Sequence, residues 1–445
     1  MNYEQGLPVT NCTQQVSLFP SCKRRLIETG FDGGDITSDG GVLLLQKADR
    51  YLGLCASVAA ILDDSRRSAS CQHDALSLLR QRVFGLTLGY EDLNDHGSLR
   101  DDLALQTALG RDQVLASSST LCRWENRASR ESAVAIHAVI VEQFIASFNR
   151  APRRLMLDFD ATDDRVHGNQ EGRFFHGYYD HYCYLPLYVF CGDQLLVSYL
   201  RPSKIDGAKH AWAILALLVK RLRQSWPKVK ITFRGDAGFC RWKMLSWCER
   251  NDVDYIVGIA KNDRLERLSA ASMKAARECY FQYGRKLRWF IEFQYGARTW
   301  NRKRRVIAKV EYSARGGNPR YIVTNLKGQA KYLYDKLYCA RGDMENRIKE
   351  QQLDLYADRT SCHRWWPNQF RLLLSSLAYI LLESIRRLAL QNTPLANAYV
   401  GTIRLKLLKI GAVIIRNTRR IRFMMSSRYP YQALFYLVAN RLAPG

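Results

Sequence analysis

The order of periodic segments predicts a mixed α/β fold: a mixed sheet with helices on its faces, flanked by helical N- and C-terminal regions. Two observations carry this expectation. Apolar positions between about residues 41 and 145 recur three and four apart, the helical period. After Pro152 the period drops to two for three successive short runs, and helix and strand patterns then alternate. Composition sets the scale. The chain has 445 residues, 47% of them hydrophobic and 11% aromatic, so it can bury several cores and is not a mainly disordered tail.

The first thirty or so residues, ending in Gly30-Phe31-Asp32-Gly33-Gly34, read as turns. GVLLLQKADRYLGL, HDALSLLRQRVFGLTLGY and SAVAIHAVIVEQFIASF then read as helices of an N-terminal region spanning residues 1–150. Between them Ser117 to Thr120 offer N-cap hydroxyls for a short helix, LCRWENR, which is either a recognition helix or an ordinary packed one. Ala151-Pro152 marks a boundary. RLMLDFD, CYLPLYVFC and DQLLVSYL read as three strands, the last two joined by a turn at Gly192-Asp193. A helix from about 208 to 224 stops before Pro227; VKITFRGD, a helix near 243–251 and DYIVGIA follow. Strand, strand, strand, helix, strand, helix, strand, helix is the order of a ribonuclease H-like fold, here assigned to residues 151–362. A β-rich insertion at about 262–328 interrupts it, and a long helix resumes from about 328 to 356. WPNQFRLLLSSLAYILLESIRRLAL reads as a buried helix opening a helical, basic C-terminal region, residues 363–445.

Lys and Arg number 67 and Asp and Glu 42, a formal charge of +25, which points to a polyanionic partner such as nucleic acid. The cations concentrate at 285–305, interleaved with Trp289, Phe290, Phe293, Tyr295 and Trp300, and at 404–422, where Arg404, Lys406, Lys409, Arg416, Arg419, Arg420 and Arg422 meet no acid. Cations mixed with aromatics suit a phosphate backbone with an unstacked base, although a sheet with one polar face explains the aromatics too. No apolar run reaches the roughly 20 residues of a bilayer span and no secretory signal is visible, so a cytoplasmic location without membrane contact is expected. The twelve cysteines include no pair two to four apart, so zinc-ribbon spacing is absent and reduced thiols are expected.

In so basic a chain the acids at strand ends are informative. Asp160 ends RLMLDFD and Asp236 ends VKITFRGD; in the predicted sheet these strands are neighbours, which brings the two carboxylates together. Carboxylates a few Å apart repel unless a cation separates them, and Mg²⁺ prefers oxygen ligands of this kind. Asp158, on the same strand face, is the rival for the first position. Asp163 and Asp164 read as structural or capping residues. On the helix after the insertion, Tyr338, Arg341, Glu345 and Lys349 fall within an arc of about 80°. That face is either a carboxylate among phosphate-binding cations or a run of i, i+4 ion pairs.

The strings LDFDATDD, HGNQEGRFFHGYYD, RGDAGF and CARGDMENRIKEQQLDLYADRTSCHRWWPNQFR resemble DDE transposases of bacterial insertion sequences, closest to the insertion-sequence-1380 family. ITSDGGVLLLQKADRYLGL and TLCRWENR extend the likeness over about residues 36–390. The resemblance implies a ribonuclease H-like catalytic domain in which Asp160, Asp236 and Glu345 are catalytic and hold two Mg²⁺ ions, with Mn²⁺ able to substitute. It also implies double-stranded DNA partners, the element's inverted-repeat ends and a target, hydrolysis that frees a 3′-hydroxyl, and strand transfer by a homodimer. Related transposases carry a Tyr, Arg, Glu, Lys signature; Tyr338, Arg341 and Glu345 match it, whereas the expected lysine position is Gln352 and Lys349 lies one turn earlier. The expected DNA contacts are Tyr338, Arg341, Lys349, Arg298, Arg302 and Arg304, with Trp289 and Trp300 as stacking groups. His167, His176 and His181 fit no zinc pattern. Two rival functions remain at this level: a metal nuclease without strand transfer, and a DNA-binding protein without catalysis.

Overall fold

A computed structural model describes residues 19–25, 27, 29–64, 66 and 71–442. After a short strand β1 (Ile36–Thr37), the N-terminal region is helical: α1 (Val42–Leu52), α2 (Leu54–Ile61), α3 (Ala75–Leu88), α4 (His96–Leu99), α5 (Leu103–Ala108), α6 (Ser118–Glu125) and α7 (Arg130–Ala146). Four of these start on residues chosen for the purpose. Asp74, Asp102, Ser117 and Ser129 each accept a hydrogen bond from a backbone N–H of the first turn.

The main sheet follows. Its strands are β2 (Arg154–Ala161), β6 (Leu187–Cys191), β7 (Gln194–Tyr199), β8 (Lys230–Gly235), β9 (Val253–Ile259), β10 (Leu287–Tyr295), β11 (Arg304–Ser313), β12 (Gly316–Gly317) and β13 (Arg320–Thr324). The order is β10-β11-β13-β9-β8-β2-β6-β7, with β12 beside β11. The pairs β2–β8 and β8–β9 are parallel and the others antiparallel. Helices α8 (Ala211–Ser225) and α9 (Trp242–Arg250) connect the parallel strands and cover one face. Leu155, Leu157 and Phe159 of β2 enter that core with Phe233 of β8, while Asp158 and Asp160 alternate to the opposite face.

Three segments depart from the sequence reading. CYLPLYVFC is two strands, because Pro186 has no N–H to continue a ladder. Its first part, β5 (His181–Tyr184), joins β3 (Asp164–Arg165) and β4 (Phe174–His176) in a separate three-stranded sheet. The insertion opens with a helix, α10 (Asp263–Tyr283), and its strands extend the main sheet beyond β9. Asn262 caps α10 through Leu265 N, and the helix buries only Leu265, Ser269 and Ala276, so its mainly polar sequence masks the helical period. The C-terminal region is not wholly helical: after α14 (Val400–Ile403), the β-branched run in β14 (Ala412–Arg416) pairs with β15 (Ile421–Met425) and with β1, before α15 (Gln432–Arg441).

The helix after the insertion is bent. It runs from α11 (Ala330–Tyr332) through a wide π turn at Leu333–Tyr338 and a tight turn at Cys339–Arg341 into α12 (Gly342–Lys349) and a second π turn at Glu350–Asp354. Beyond it α13 (Trp365–Ser384) is buried from Phe370 onward on nearly every side, consistent with its continuous apolar sequence. This helix joins the two halves of the chain. Gln369 donates to Ser198 O and accepts from Leu200 N at the edge of the sheet, at 3.0 and 2.8 Å. On the other side Glu125 of α6, with no exposed surface, takes Arg82 of α3 at 2.6 Å and Arg371 of α13 at 2.8 Å. Helix α6 is therefore seated through Leu121, Trp124 and Glu125, with Trp124 edge-on to Phe370 at 5.1 Å, although Cys122 and Arg123 stay exposed.

Among the described residues no cysteine is disulfide-bonded, and no helix is long and apolar enough to cross a membrane. Removing one member of a buried ion network leaves the rest uncompensated, so Glu125→Ala is expected to destabilise the fold by about 3–5 kcal/mol. Denaturant unfolding followed by far-ultraviolet circular dichroism measures this; a change under about 1 kcal/mol would show that the network is dispensable.

Candidate active site

Parallel pairing sets Asp158 opposite Arg234 and Phe159 opposite Gly235, so Asp160 and Asp236 lie side by side as β2 and β8 reach the same edge. The two acids of LDFD have different surroundings. Asp158 is buried and bound by Arg234, whose Nη2 donates to Oδ2 at 2.6 Å while Nε donates to Oδ1. The same guanidinium donates to the carbonyl oxygen of Leu337, at the end of the π turn. Asp158 and Arg234 thus clamp the bent helix onto the sheet, with both Asp158 oxygens engaged by the one guanidinium. Asp160, one alternation further, points into the space beneath α12.

Two carboxylates share one cation there, and the charge of a third, Asp236, acts on Asp160 and on that cation. Arg341 Nη1 donates to Asp160 Oδ2 at 3.0 Å and Nη2 to Glu345 Oε1 at 2.7 Å. Asp236 starts the turn Ala237–Phe239, its Oδ1 accepting from Gly238 N at 2.8 Å. Burial pushes the Asp160 carboxyl up to about 7; Arg341 opposes that shift, and the charges of Asp236 and Glu345 reinforce it. The site is short of positive charge with Arg341 in place, and its ligand atoms are all carboxylate oxygens. That donor set fits a hard divalent cation. As placed, no three Asp, Glu, His or Cys side chains among the described residues close on one point; Arg341 bridges Asp160 and Glu345.

Gly258 on β9 permits this convergence. A Cβ there would lie 2.5 Å from Tyr338 Oη and 2.8 Å from Ala237 N, so only glycine lets the tyrosine and the Asp236 turn approach together. Tyr338 is kept neutral beside them: burial raises its phenol and Asp236 adds to the rise, with Arg341 opposing.

The family described as "Transposase DDE domain group 1" matches residues 19–444. This chain belongs to that family. Among solved structures, a piggyBac transposase synaptic complex with hairpin DNA, determined by cryo-electron microscopy, aligns over 92% of this chain and 82% of that one, at 10% identity and a TM-score of 0.41. A comparison with curated proteins finds no match.

The other residues expected at this transposase's site fall into two groups. Tyr338 and Arg341 stand with the acids, and Lys349 is exposed one turn beyond Glu345. Gln352, at the signature's lysine position, donates to the carbonyl of Asp163 at 2.9 Å and so ties the helix to the loop after β2. The insertion residues are divided. Arg298 is exposed, and Arg302 is exposed but paired with Glu249 at 2.9 Å. Arg304 is buried, bound to Glu249 at 2.8 and 3.0 Å, and lies over the Trp300 ring at 5.3 Å. Its charge is held inside the protein, away from any phosphate. Trp300 packs edge-on against Tyr295 at 5.5 Å, and Trp289 sits half-buried on β10 opposite Val310. Two of the seven cations of the C-terminal basic run are likewise structural: Arg404 donates to Thr87 O, and Lys409 pairs with Asp39 at 2.8 Å. His181 pairs with Asp163 at 2.9 Å, His176 packs on Tyr179, and His167 is exposed.

Three contributors were not singled out from sequence. Arg234 carried a signal, since β2–β8 pairing sets it opposite Asp158 once register is known. Gly258 is one small residue inside a strand, and Tyr179 belongs to a loop whose return to the site requires the fold.

Burial raises the Asp158 carboxyl as it does that of Asp160, but only Asp158 makes a two-pronged pair with a buried guanidinium, so the two should differ when neutralised. The native state binds the Asp160 proton more tightly than the unfolded chain, whose ordinary value is 3.8, so ionising it costs stability as pH rises from about 4 to about 7, with the full cost above 7. At pH 8 in a chelating buffer, Asp160→Asn is expected to be at least as stable as wild type. Asp158→Asn, which leaves Arg234 uncompensated, should lose about 3–5 kcal/mol. Thermal unfolding of both variants checks this; equal losses would contradict the assignment of Asp158 to the clamp and Asp160 to the site.

Proposed function

We propose that this transposase cuts DNA at the ends of a mobile element and joins the freed 3′-hydroxyl to a target, with Asp160, Asp236 and Glu345 as metal ligands. The observation that carries this reading is that β2 and β8 end in parallel at one edge with Asp160 and Asp236, where Arg341 bridges Asp160 to Glu345 of α12. Two Mg²⁺ ions, replaceable by Mn²⁺, suit such a donor set, and when bound they would activate a water and offset charge on the leaving oxygen of a phosphodiester.

The chain's own residues supply the rest. Arg341, released from the acids, presents a planar fork to a phosphate next to the scissile bond. Lys349 is exposed on the same helix and offers a second cation, while Gln352 keeps the helix in register. Tyr338 supplies a neutral hydroxyl donor beside Asp236.

The ribonuclease H-like reading is supported by the order β7-β6-β2-β8-β9, in which β6 runs against the other four. Duplex DNA as partner is supported by exposed Arg298 and by Arg416, Arg419, Arg420 and Arg422 on the β14–β15 hairpin. Joining two ends calls for two protomers, so a homodimer on DNA is proposed, within the insertion-sequence-1380 family and in the bacterial cytoplasm at the nucleoid.

Asp160→Ala, Asp236→Ala and Glu345→Ala should each lower Mg²⁺-dependent nicking of DNA carrying the element's ends by about 10³-fold or more, with binding retained. Gel analysis of end-labelled DNA incubated with a target plasmid reads both steps. Retained nicking would remove that residue from the site, and nicked ends that never join the plasmid would favour a nuclease.

A further inference from the structure

We propose that the β4–β5 hairpin, residues 174–184, is a stacking platform for unpaired nucleotides beside the scissile phosphate. The inference rests on the DNA-cleaving reading of the acidic site and adds a substrate feature to it. Phe175, Tyr178 and Tyr182 expose 53%, 85% and 48% of their surface, far more than a hairpin folded for its own stability needs to leave open. The rings are ordered against one another. Phe175 meets Tyr182 edge-on at 5.7 Å, and Tyr178 meets Tyr179 edge-on at 5.0 Å.

Charge at this surface favours nucleic acid over an apolar protein segment. Arg173 lies over the Tyr182 ring at 4.6 Å, and Lys204 lies over Phe174 at 5.4 Å. Cations held on aromatic faces combine a phosphate contact with a base contact, the pairing used for single strands. In a duplex the base faces are covered by their neighbours, so the platform can take only nucleotides that have left the stack.

Position links the platform to the chemistry. Tyr179 lies between Tyr178 and His181, its ring 5.0 and 6.1 Å from theirs. Asp163 is in turn held by His181 of the hairpin and, through its carbonyl, by Gln352 of the helix bearing Glu345. The rings of the hairpin are thereby tied to the segment that follows Asp160 and to the helix that bears Glu345. Trp300 of the insertion is less available, since it is packed under Arg304.

The test uses the full chain and a thymidine oligonucleotide with one 2-aminopurine, alone and annealed to its complement. Ring loss in Phe175→Ala, Tyr178→Ala or Tyr182→Ala is expected to weaken single-strand binding by roughly 5- to 150-fold and to abolish 2-aminopurine quenching, with duplex binding unchanged. Tyr178→Phe should bind as wild type does. Absence of single-strand binding by wild type, unchanged binding by all three variants, or equal loss for the duplex would each overturn the proposal. Mg²⁺-dependent nicking by wild type and its loss in Asp160→Asn, assayed in parallel, separate failure of the platform from failure of the cleavage reading.

Discussion

The parallel pairing of β2 with β8, fixed by the buried Asp158–Arg234 pair, is the constraint on which the rest of the site depends. Parallel strands end at the same edge, so their last acids are brought together with no loop to position them. Arg234 extends that register to a third element by holding the carbonyl of Leu337. The bend in the helix is part of the same arrangement. A π turn followed by a tight turn shifts the helix just before Arg341, and the acid four residues on then shares a guanidinium with Asp160. Gly258 removes the one side chain that would keep Tyr338 and the Asp236 turn apart.

The two acidic residues of one short strand show how stability and function are divided. Asp158 is fully paired and braces the fold; Asp160 is buried, surrounded by other acids and only partly compensated. Keeping these carboxylates near one another costs stability at that point, a cost that the proposed cations would offset when bound. Arg341 holds the acids in the meantime. The cost is borne by a scaffold with large cores on both sides, joined by α13 and by the Glu125 network.

Much of this was legible in the sequence because the relevant patterns are local. Alternation in RLMLDFD, the strand after it, and the helical period around Glu345 suffice to place three acids on neighbouring elements. What escaped was tertiary. Pro186 splits one apolar run between two sheets, and α10 was hidden by a polar sequence whose buried residues are few. The basic runs misled for a related reason: charge counts cannot tell an exposed arginine from one neutralised inside. Arg304 and Arg404 are spent on Glu249 and on backbone carbonyls, whereas Arg416, Arg419, Arg420 and Arg422 remain at the surface. The surplus of +25 thus overstates the cations free to face a polyanion, and four of the exposed ones lie on a hairpin in a region that was read as helical.

The central claim is that Asp160, Asp236 and Glu345 form one metal site, with Arg341 as the group that yields to the ion. A crystal structure of the Mn²⁺-soaked protein, with anomalous scattering used to locate the metal, tests this most directly. Mn²⁺ is expected on Asp160 and Asp236, with Glu345 turned toward it and Arg341 no longer bridging Asp160 and Glu345. Anomalous density elsewhere, or none at these acids with the Arg341 bridge intact at saturating Mn²⁺, would contradict it.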